Sequence, residues 1–347
     1  GMRVIDLAHV MAGPTSARML ADMGADVIKV EEPFHGPHER HWSGADHHLN
    51  GESLLFLMSS RNIRSAGLNL KHSEGRAAAA ALCRDADVVV SNFRPGVMER
   101  LGLGYEDLSR DNEGLIYASA SGYGARTAYK HLPGQDLLVQ SLSGMPSVTG
   151  SAGAPVAAGA VVVDQHAATL LALGIAAALV ARARTGKGQE VEVTMIQSAL
   201  DLQAEVLACH LNGAALERPT GRLATTYHEA PYGFYEVADG WVALSITPME
   251  KISAALGDPP ELADLLDPAD AFSRREEIYA ALSPLLVDHT RADLIDLLRR
   301  HDVWCGPVNS YEEALAEPVV HETGASAEFE HPDAGPVRVV GHPIAFG

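Results

Sequence analysis

Asp164 is the acidic residue whose position in the sequence points most directly to chemistry. It stands between the valines at 161–163 and the apolar run 167–181, which is typical of a helix. Aspartate is a favoured helix N-cap, and capping alone would explain its position. A carboxylate at a helix N-terminus is also held in its charged form by the helix dipole, and such a group can attack an activated acyl carbon. The sequence therefore predicts that Asp164 caps this helix, and the same position suits a covalent nucleophile.

Polar residues follow two of the predicted strands. The turn 9–14 follows the short apolar strand 4–7, and the turn 92–96 follows the strand 87–91. In open α/β sheets, ligands bind at the carboxyl ends of the strands, so we expect both turns to lie near one crevice. Three cations could meet a phosphorylated ligand there, although such residues are more often solvated: Lys71, Arg94 and Arg100. Gln135 and Asp136 follow Pro133-Gly134 and predict the start of another helix.

Several common catalytic motifs are absent from the sequence. It contains no GxGxxG, GxxxxGK[ST], HExxH or GxSxG pattern. Histidines are frequent between residues 34 and 50, but their spacing fits no metal-ligand template: His35, His38, His41, His47 and His48. The sequence therefore predicts no metal site.

Composition and charge exclude further classes of protein. Among 347 residues, 26 are Lys or Arg and 45 are Asp or Glu, which gives a net charge of −19. So acidic a chain is unsuited to general nucleic-acid binding, which needs clustered cations. Three distant cysteines predict neither a disulfide framework nor a CxxC site, and they suit a reducing cytoplasm. The apolar run 167–181 is shorter than the roughly 20 residues that span a bilayer, so we expect a buried helix and no membrane partner.

The elements that position these residues fall into two groups. Strands at 4–7, 25–30, 87–91 and 115–119 alternate with helices, a pattern that predicts a parallel sheet covered on both faces. A loop at 144–160, a helix at 164–184, a strand at 190–193 and a helix at 195–211 follow. After residue 219, Asp239-Gly240 predicts a hairpin, and two amphipathic helices come next. The expected fold class is α/β, with a large domain at 2–218, completed by about 320–347, and a smaller α+β domain at 219–319.

At this level of detail the chain resembles the class III coenzyme A transferases, the group that includes formyl-CoA transferase and carnitine CoA-transferase. α-Methylacyl-CoA racemase belongs to the same superfamily. The similarity covers nearly the whole chain and is carried, in order, by residues 4–14, 20–31, 68–71, 92–102, 121–124, 134–136, 143–144, 164, 184–189, 239–241 and 306–309.

The resemblance implies a Rossmann-like large domain, a small α+β domain and an interlocked homodimer. It implies that coenzyme A passes from an acyl-CoA to a carboxylic acid through an anhydride and a thioester on Asp164. Gln135 and Asp136 would lie beside Asp164 at the catalytic centre. The resemblance places the coenzyme A contacts on His9, Met11, Ala12, Lys71, Asn92, Phe93, Arg100 and Met195.

Three residues depart from the pattern of the family. Met11 replaces the glutamine of some members, and Glu32 stands where others carry a cation, so it would repel a phosphate if it pointed inward. Gln135 stands where racemases carry a histidine base and many transferases carry tyrosine. Because glutamine cannot exchange a proton near neutral pH, racemization is disfavoured. The alternatives that remain are a racemase, a coenzyme A-binding scaffold without activity, and a nucleotide-dependent oxidoreductase, which the missing glycine motif disfavours.

Overall fold

The computed structural model describes residues 1–346, and strands and helices alternate along most of this part of the chain. The strands are β1 Arg3–Asp6, β2 Asp26–Glu31, β3 His48–Leu49, β4 Glu52–Ser53, β5 Arg64–Gly67, β6 Val88–Ser91, β7 Ile116–Ser121, β8 Gln189–Thr194, β9 Gly233–Val237, β10 Gly240–Leu244, β11 Cys305–Pro307, β12 Ser326–His331 and β13 Gly335–Val340. The helices are α1 Ala12–Asp22, α2 Leu54–Ser60, α3 Ser73–Arg84, α4 Val97–Leu101, α5 Tyr105–Leu108, α6 Asp136–Leu142, α7 Met145–Val148, α8 Val162–Thr185, α9 Met195–Asp201, α10 Ala204–Leu211, α11 Met249–Ala255, α12 Arg275–Leu286, α13 Arg291–Arg300, α14 Tyr311–Ala316 and α15 Pro318–Glu322.

Six strands form one sheet in the order β5-β2-β1-β6-β7-β8, and every neighbouring pair is parallel. After β1, the chain adds β2 and β5 on one side of this strand. It then crosses to the other side of β1, where β6, β7 and β8 follow. This is the order of a Rossmann-like sheet, with its switch point between β1 and β6. The predicted α/β fold with a parallel sheet is confirmed.

The central strands form because their side chains are apolar on both faces. All four residues of β6 are buried, and Val4 and Ile5 of β1 are fully enclosed, as expected of a parallel sheet covered by helices. β5 was not predicted. Its sequence, Arg-Ser-Ala-Gly, is polar and largely exposed, and it is a strand because its backbone pairs with β2 at the edge of the sheet.

α8 is the longest described helix, and it packs against α1, β7 and β8. Leu171 and Ile175 are fully buried on the face toward the sheet, whereas Leu173 and Val180 are exposed. The prediction of a buried helix is therefore correct for one face only. Among residues 1–346, α8 alone is long and apolar enough to cross a membrane. This is weak evidence for a span, because helices that cover a sheet have the same length and composition.

The sequence predicts one helix at 195–211, and this prediction is wrong about its continuity. Residues 195–211 form two helices, α9 and α10, separated at Leu202 and Gln203. The predicted loop at 144–160 contains the short helix α7. Apolar periodicity continues across both segments, so it does not reveal where the backbone changes direction.

The chain folds into two compact units. The first contains residues 1–143, 160–202 and the chain from Pro318 onward, and the second contains residues 144–159 and 203–317. This division differs from the predicted boundaries because the segment after residue 144 bonds to the segment near 220. The Ala152 N–H donates to the Pro219 carbonyl at 2.7 Å, and the Ser151 hydroxyl donates to the Gly221 carbonyl at 2.6 Å.

The second unit has its own sheet and core. Its antiparallel sheet has the order β11-β10-β9, and β9 and β10 form the hairpin predicted at Asp239-Gly240. Helices α11, α12 and α13 contribute Ile252, Leu282 and Leu298, which are fully buried in one cluster with Tyr235 of β9. Helices and an antiparallel sheet therefore share one apolar core in this unit.

Gly188, just before β8, lies against the backbone of Leu115, just before β7. Substitution of this glycine tests how closely the two segments approach. A Cβ atom there would lie 1.9 Å from the Leu115 carbonyl oxygen, whereas a Cβ atom at Gly44 would have no heavy atom within 4 Å. We expect Gly188→Ala to lower the free energy of unfolding by more than about 2 kcal/mol, because the Leu115 backbone must move. Gly44→Ala should change it by less than about 0.5 kcal/mol. Thermal denaturation followed by circular dichroism compares the two variants, and equal melting temperatures would contradict the close approach.

Candidate active site

The ends of β1 and β6 meet at the switch point, and Asn92 joins them. Its side-chain oxygen accepts a hydrogen bond from the His9 N–H at 2.8 Å, and its amide nitrogen donates to the His9 carbonyl at 2.6 Å. The rings of His9 and Phe93 are perpendicular, with centroids 4.9 Å apart. The structure therefore brings together the two turns that the strand ends predict to share a crevice.

A cavity of about 490 Å³ opens at this crevice, within the first unit. Eight of the eleven predicted site residues line it: His9, Met11, Ala12, Asn92, Phe93, Gln135, Asp164 and Met195. They come from the loops after β1, β6 and β7 and from the starts of α8 and α9. The carboxyl edge of the sheet thus gathers residues that are far apart in the chain.

Asp164 does not cap its own helix, so this part of the sequence prediction is wrong. α8 begins at Val162, which makes Asp164 its third residue. The buried Asp136 takes the capping role from the neighbouring helix α6. One of its carboxylate oxygens accepts the N–H groups of Val163 at 2.9 Å and Asp164 at 3.1 Å, and the other accepts from the Gln140 amide at 2.5 Å. These N–H groups are the ones that an N-cap side chain normally binds.

The ionisation of Asp164 also differs from the expectation. Burial, with a further contribution from the negative charge of Asp136, raises the pKa of the Asp164 carboxyl to about 7. The helix dipole favours the charged form, but in this site the desolvation of the carboxylate outweighs it. Near neutral pH, Asp164 therefore exists in both forms in comparable amounts.

A second cavity, of about 430 Å³, lies beside the first. His9 and Phe93 line both cavities, and Lys71 lines the second together with apolar side chains such as Leu7, Val30 and Leu70. Lys71 Nζ lies 3.5 Å from Glu32 Oε1, and both side chains are largely exposed. Glu32 also lines this cavity and balances the charge of Lys71. Because it is an anion, it adds no positive charge there that could bind a phosphate.

Arg100 does not join the other predicted residues. It lies on α4, where its guanidinium faces the Gly96 turn, and it is not among the described residues that line either cavity.

A buried charge cluster under His9 was missed by the sequence analysis. Lys29 of β2 is almost fully buried, and its Nζ lies 2.7 Å from the Ala8 carbonyl, 3.3 Å from Asp6 Oδ2 and 3.5 Å from Glu39 Oε1. Burial and the Lys29 charge lower the pKa of His9, which favours its neutral imidazole. A lysine inside an apolar strand looks like a surface residue in the sequence, and only the sheet shows where it points.

Lys130 is a second residue that sequence reasoning missed. It lies in the loop after β7 and lines the first cavity with Asp164 and Gln135.

The predicted absence of a metal site was based on the histidines at 34–50, where His41 bonds to the His35 carbonyl and His38 stacks on Trp42. Among residues 1–346, no three His, Cys, Asp or Glu side chains form a group that could hold a metal ion.

Comparisons with known proteins agree on one family. The family model described as CoA-transferase family III matches residues 1–347. A succinate–glutarate CoA-transferase from Agrobacterium fabrum is 35% identical over 357 residues, which cover 99% of this chain and 88% of that protein. An acetyl-CoA:oxalate CoA-transferase from Acetobacter aceti is 34% identical over 327 residues, covering 92% and 82%. A solved CAIB/BAIF family protein from Brucella suis has a TM-score of 0.85 and 29% identity, covering 100% of this chain and 92% of that chain.

The raised pKa of Asp164 predicts a pH-dependent stability difference. Its pKa is higher in the folded state than the ordinary 3.8, so ionisation costs the folded state free energy. This cost is absent below about pH 4, grows toward pH 7 and is complete above it. We therefore expect Asp164→Asn to be more stable than the wild type above pH 7, by at most about 4 kcal/mol.

Thermal melts at pH 5 and pH 8.5 measure this difference. The exposed Asp85 at the end of α3 provides the control, since Asp85→Asn should show no comparable pH dependence. An Asp164→Asn variant whose stability advantage is the same at both pH values would contradict the raised pKa.

Proposed function

This chain belongs to CoA-transferase family III, and we propose that it moves coenzyme A between two carboxylic acids through covalent intermediates on Asp164. The observation that carries the proposal is the position of this carboxyl group. It lines a cavity at the carboxyl edge of the sheet, it is mostly buried, and its pKa is about 7. A desolvated carboxylate of raised pKa is a stronger nucleophile than a solvated one.

The proposed reaction passes through two anhydrides and one thioester. The ionised Asp164 attacks the thioester carbonyl of the donor acyl-CoA, the C–S bond breaks, and a mixed anhydride forms with loss of the thiolate. The thiolate attacks the Asp164 carbonyl, which releases the donor acid and leaves an aspartyl-CoA thioester. The acceptor carboxylate attacks this thioester, and the expelled thiolate then attacks the acceptor acyl carbon and frees Asp164. Each attack is effectively intramolecular if the thiolate stays in the cavity.

Asp136 supports this chemistry as a positioning residue. Its hydrogen bonds to Val163 and Asp164 hold the first turn of α8 in place. The oxyanion of each step needs N–H donors in fixed positions. The start of α1, at Met11 and Ala12, lines the same cavity, and the first N–H groups of a helix have no partner within the helix. The preceding residue, Val10, has φ of 66°, a strained value for a β-branched residue that is typical of functional turns.

Acyl-CoA binding is assigned to the two adjoining cavities. The reacting thioester lies beside Asp164 and Met195, and His9 and Phe93 separate this part from the mainly apolar second cavity. The second cavity suits the nucleotide end of the molecule, with Lys71 near its phosphates. Arg100 lines neither cavity, so its assignment as a phosphate contact rests only on the resemblance to the family.

The acids exchanged by this enzyme are proposed to include dicarboxylic acids. The two curated relatives described above are named for succinate, glutarate and oxalate, all of which carry two carboxylates.

Gln135, which lines the cavity with Asp164, cannot exchange a proton at neutral pH, so the site favours transfer over racemization.

A homodimer is proposed on the basis of an exposed apolar face in the first unit. Helices α6, α8 and α9 contact one another, and all three present large apolar side chains to solvent: Leu137, Leu138, Leu142, Leu173, Val180 and Leu200. A second copy of the chain would bury this face, and the resemblance implies that the two copies interlock.

Double substitution on α8 tests the homodimer. We expect the wild type to have the mass of a dimer in light scattering, and Leu173→Glu/Val180→Glu to shift it toward monomer, because burying two new charges is unfavourable. Val340→Glu, at an exposed position on β13, is the control and should stay dimeric. A monomeric wild type would contradict the proposal.

Removal of Asp164 tests the covalent step. We expect Asp164→Ala to keep its fold and to lose at least about 10³-fold in rate of transfer, because the nucleophile is absent. Asp85→Ala should keep full activity. With wild type and acyl-CoA, hydroxylamine should convert Asp164 to a hydroxamate, which peptide mass spectrometry locates. A folded Asp164→Ala variant that transfers at the wild-type rate would rule out the mechanism.

A further inference from the structure

The loop between β7 and α6 is closed at its base by two glycines. A Cβ atom at Gly122 would lie 2.6 Å from the Gly134 Cα, and one at Gly134 would lie 2.4 Å from the Gly122 Cα. The two backbones therefore touch, and neither position has room for a side chain. The intervening residues 123–133 form a loop whose two ends lie side by side at the entrance to the α6 segment that carries Gln135 and Asp136.

Short-range contacts order the interior of this loop. The Tyr123 hydroxyl donates to the Pro133 carbonyl at 3.3 Å, and the rings of Tyr123 and Tyr129 have centroids 5.9 Å apart. The Lys130 N–H donates to the Thr127 carbonyl at 3.3 Å, and the Leu132 N–H donates to the Tyr129 carbonyl at 2.9 Å. These contacts fix the backbone on both sides of Lys130.

The loop carries two cations, Lys130 and Arg126, which line different cavities. Lys130 lines the cavity that contains Asp164, and it forms no ion pair within the described residues 1–346. Arg126, four residues earlier, lines a separate cavity together with Glu190 and Glu192. Only Lys130 thus brings an uncompensated positive charge to the Asp164 cavity from this loop.

We propose that the Lys130 ammonium group binds the distal carboxylate of a dicarboxylic acid whose other carboxylate reacts at Asp164. This assignment rests on the proposed transferase function and adds the residue that selects the acid. The chain carries a net charge of −19, and Asp136 and Asp164 add negative charge at the reacting end of the cavity. A second carboxylate would be repelled there without a counter-charge, and a lysine on a long flexible stem can meet acids of different lengths.

Arg94 is the other cation that lines the Asp164 cavity. It also lines the neighbouring cavity with Glu99, Glu190 and Glu192, so three carboxylates share its surroundings. Asp164 is the only acidic residue among the described residues that line the cavity with Lys130. The distal carboxylate is therefore assigned to Lys130.

Acceptors of equal length, with and without a second carboxylate, test the assignment. Butyryl-CoA serves as a donor without a distal charge, and glutarate, monomethyl glutarate and valerate serve as acceptors. We expect Lys130→Met to raise KM for glutarate about five- to tenfold, and to change KM for the two singly charged acids and for butyryl-CoA less than twofold. Lys130→Arg should restore most of the preference for glutarate, and Lys130→Glu should favour 5-aminovalerate over glutarate.

Arg126→Met is the matched control, because it removes a cation from the same loop but from the other cavity. It should leave all acceptor KM values within twofold of the wild type. Equal effects of Lys130→Met on glutarate and valerate, a rise in KM for butyryl-CoA, or no effect at all would each overturn the assignment. Failure of the proposed transferase function would look different, because the wild type itself would transfer coenzyme A to none of these acids.

Discussion

The hydrogen bonds from the first turn of α8 to the Asp136 carboxylate fix the position of Asp164 beside a second negative charge. A helix begins with N–H groups that have no partner in the helix, and α8 starts after Val161, which has no side chain able to bind them. Asp136 supplies the missing acceptor from α6 and so fastens two helices at the edge of the cavity. Burial raises the pKa of Asp164 to about 7, and the negative charge of the same Asp136 carboxylate adds to this effect. Asp136 therefore holds Asp164 in place and also opposes its ionisation.

The order of the sheet explains why the cavity lies where it does. The chain leaves β1 and β6 in opposite directions, so the loops after these adjacent strands separate and leave a crevice. Asn92 bridges this crevice through the His9 backbone, which keeps the two loops at a fixed distance. His9 and Phe93 line both cavities, so a ligand longer than either cavity would pass beside this pair of rings.

Charge in this acidic protein is distributed unevenly around the site. Lys29 is enclosed under the His9 turn and is compensated by Asp6 and Glu39, because an unpaired charge could not be buried there. Lys71 is compensated by Glu32 at the surface. Lys130 differs from both, since this exposed residue lines the Asp164 cavity and has no ion pair among the described residues. The buried Lys29 is thus compensated within the fold, whereas Lys71 and Lys130 line cavities where a ligand could reach them.

The sequence determined the parts of this protein that depend on local pattern. Apolar runs predicted β1, β6 and β7, the position after each strand predicted that His9 and Asn92 would meet, and the order of motifs predicted the family. The polar edge strand β5 and the separation of α9 from α10 were not predicted, because both depend on neighbouring segments rather than on their own residues. The capping of α8 by Asp136, the raised pKa of Asp164 and the position of Lys130 at the cavity were decided by the tertiary structure alone. Each depends on distances between residues far apart in the chain and on the exclusion of water, and these quantities exist only once the sheet and its helices have packed.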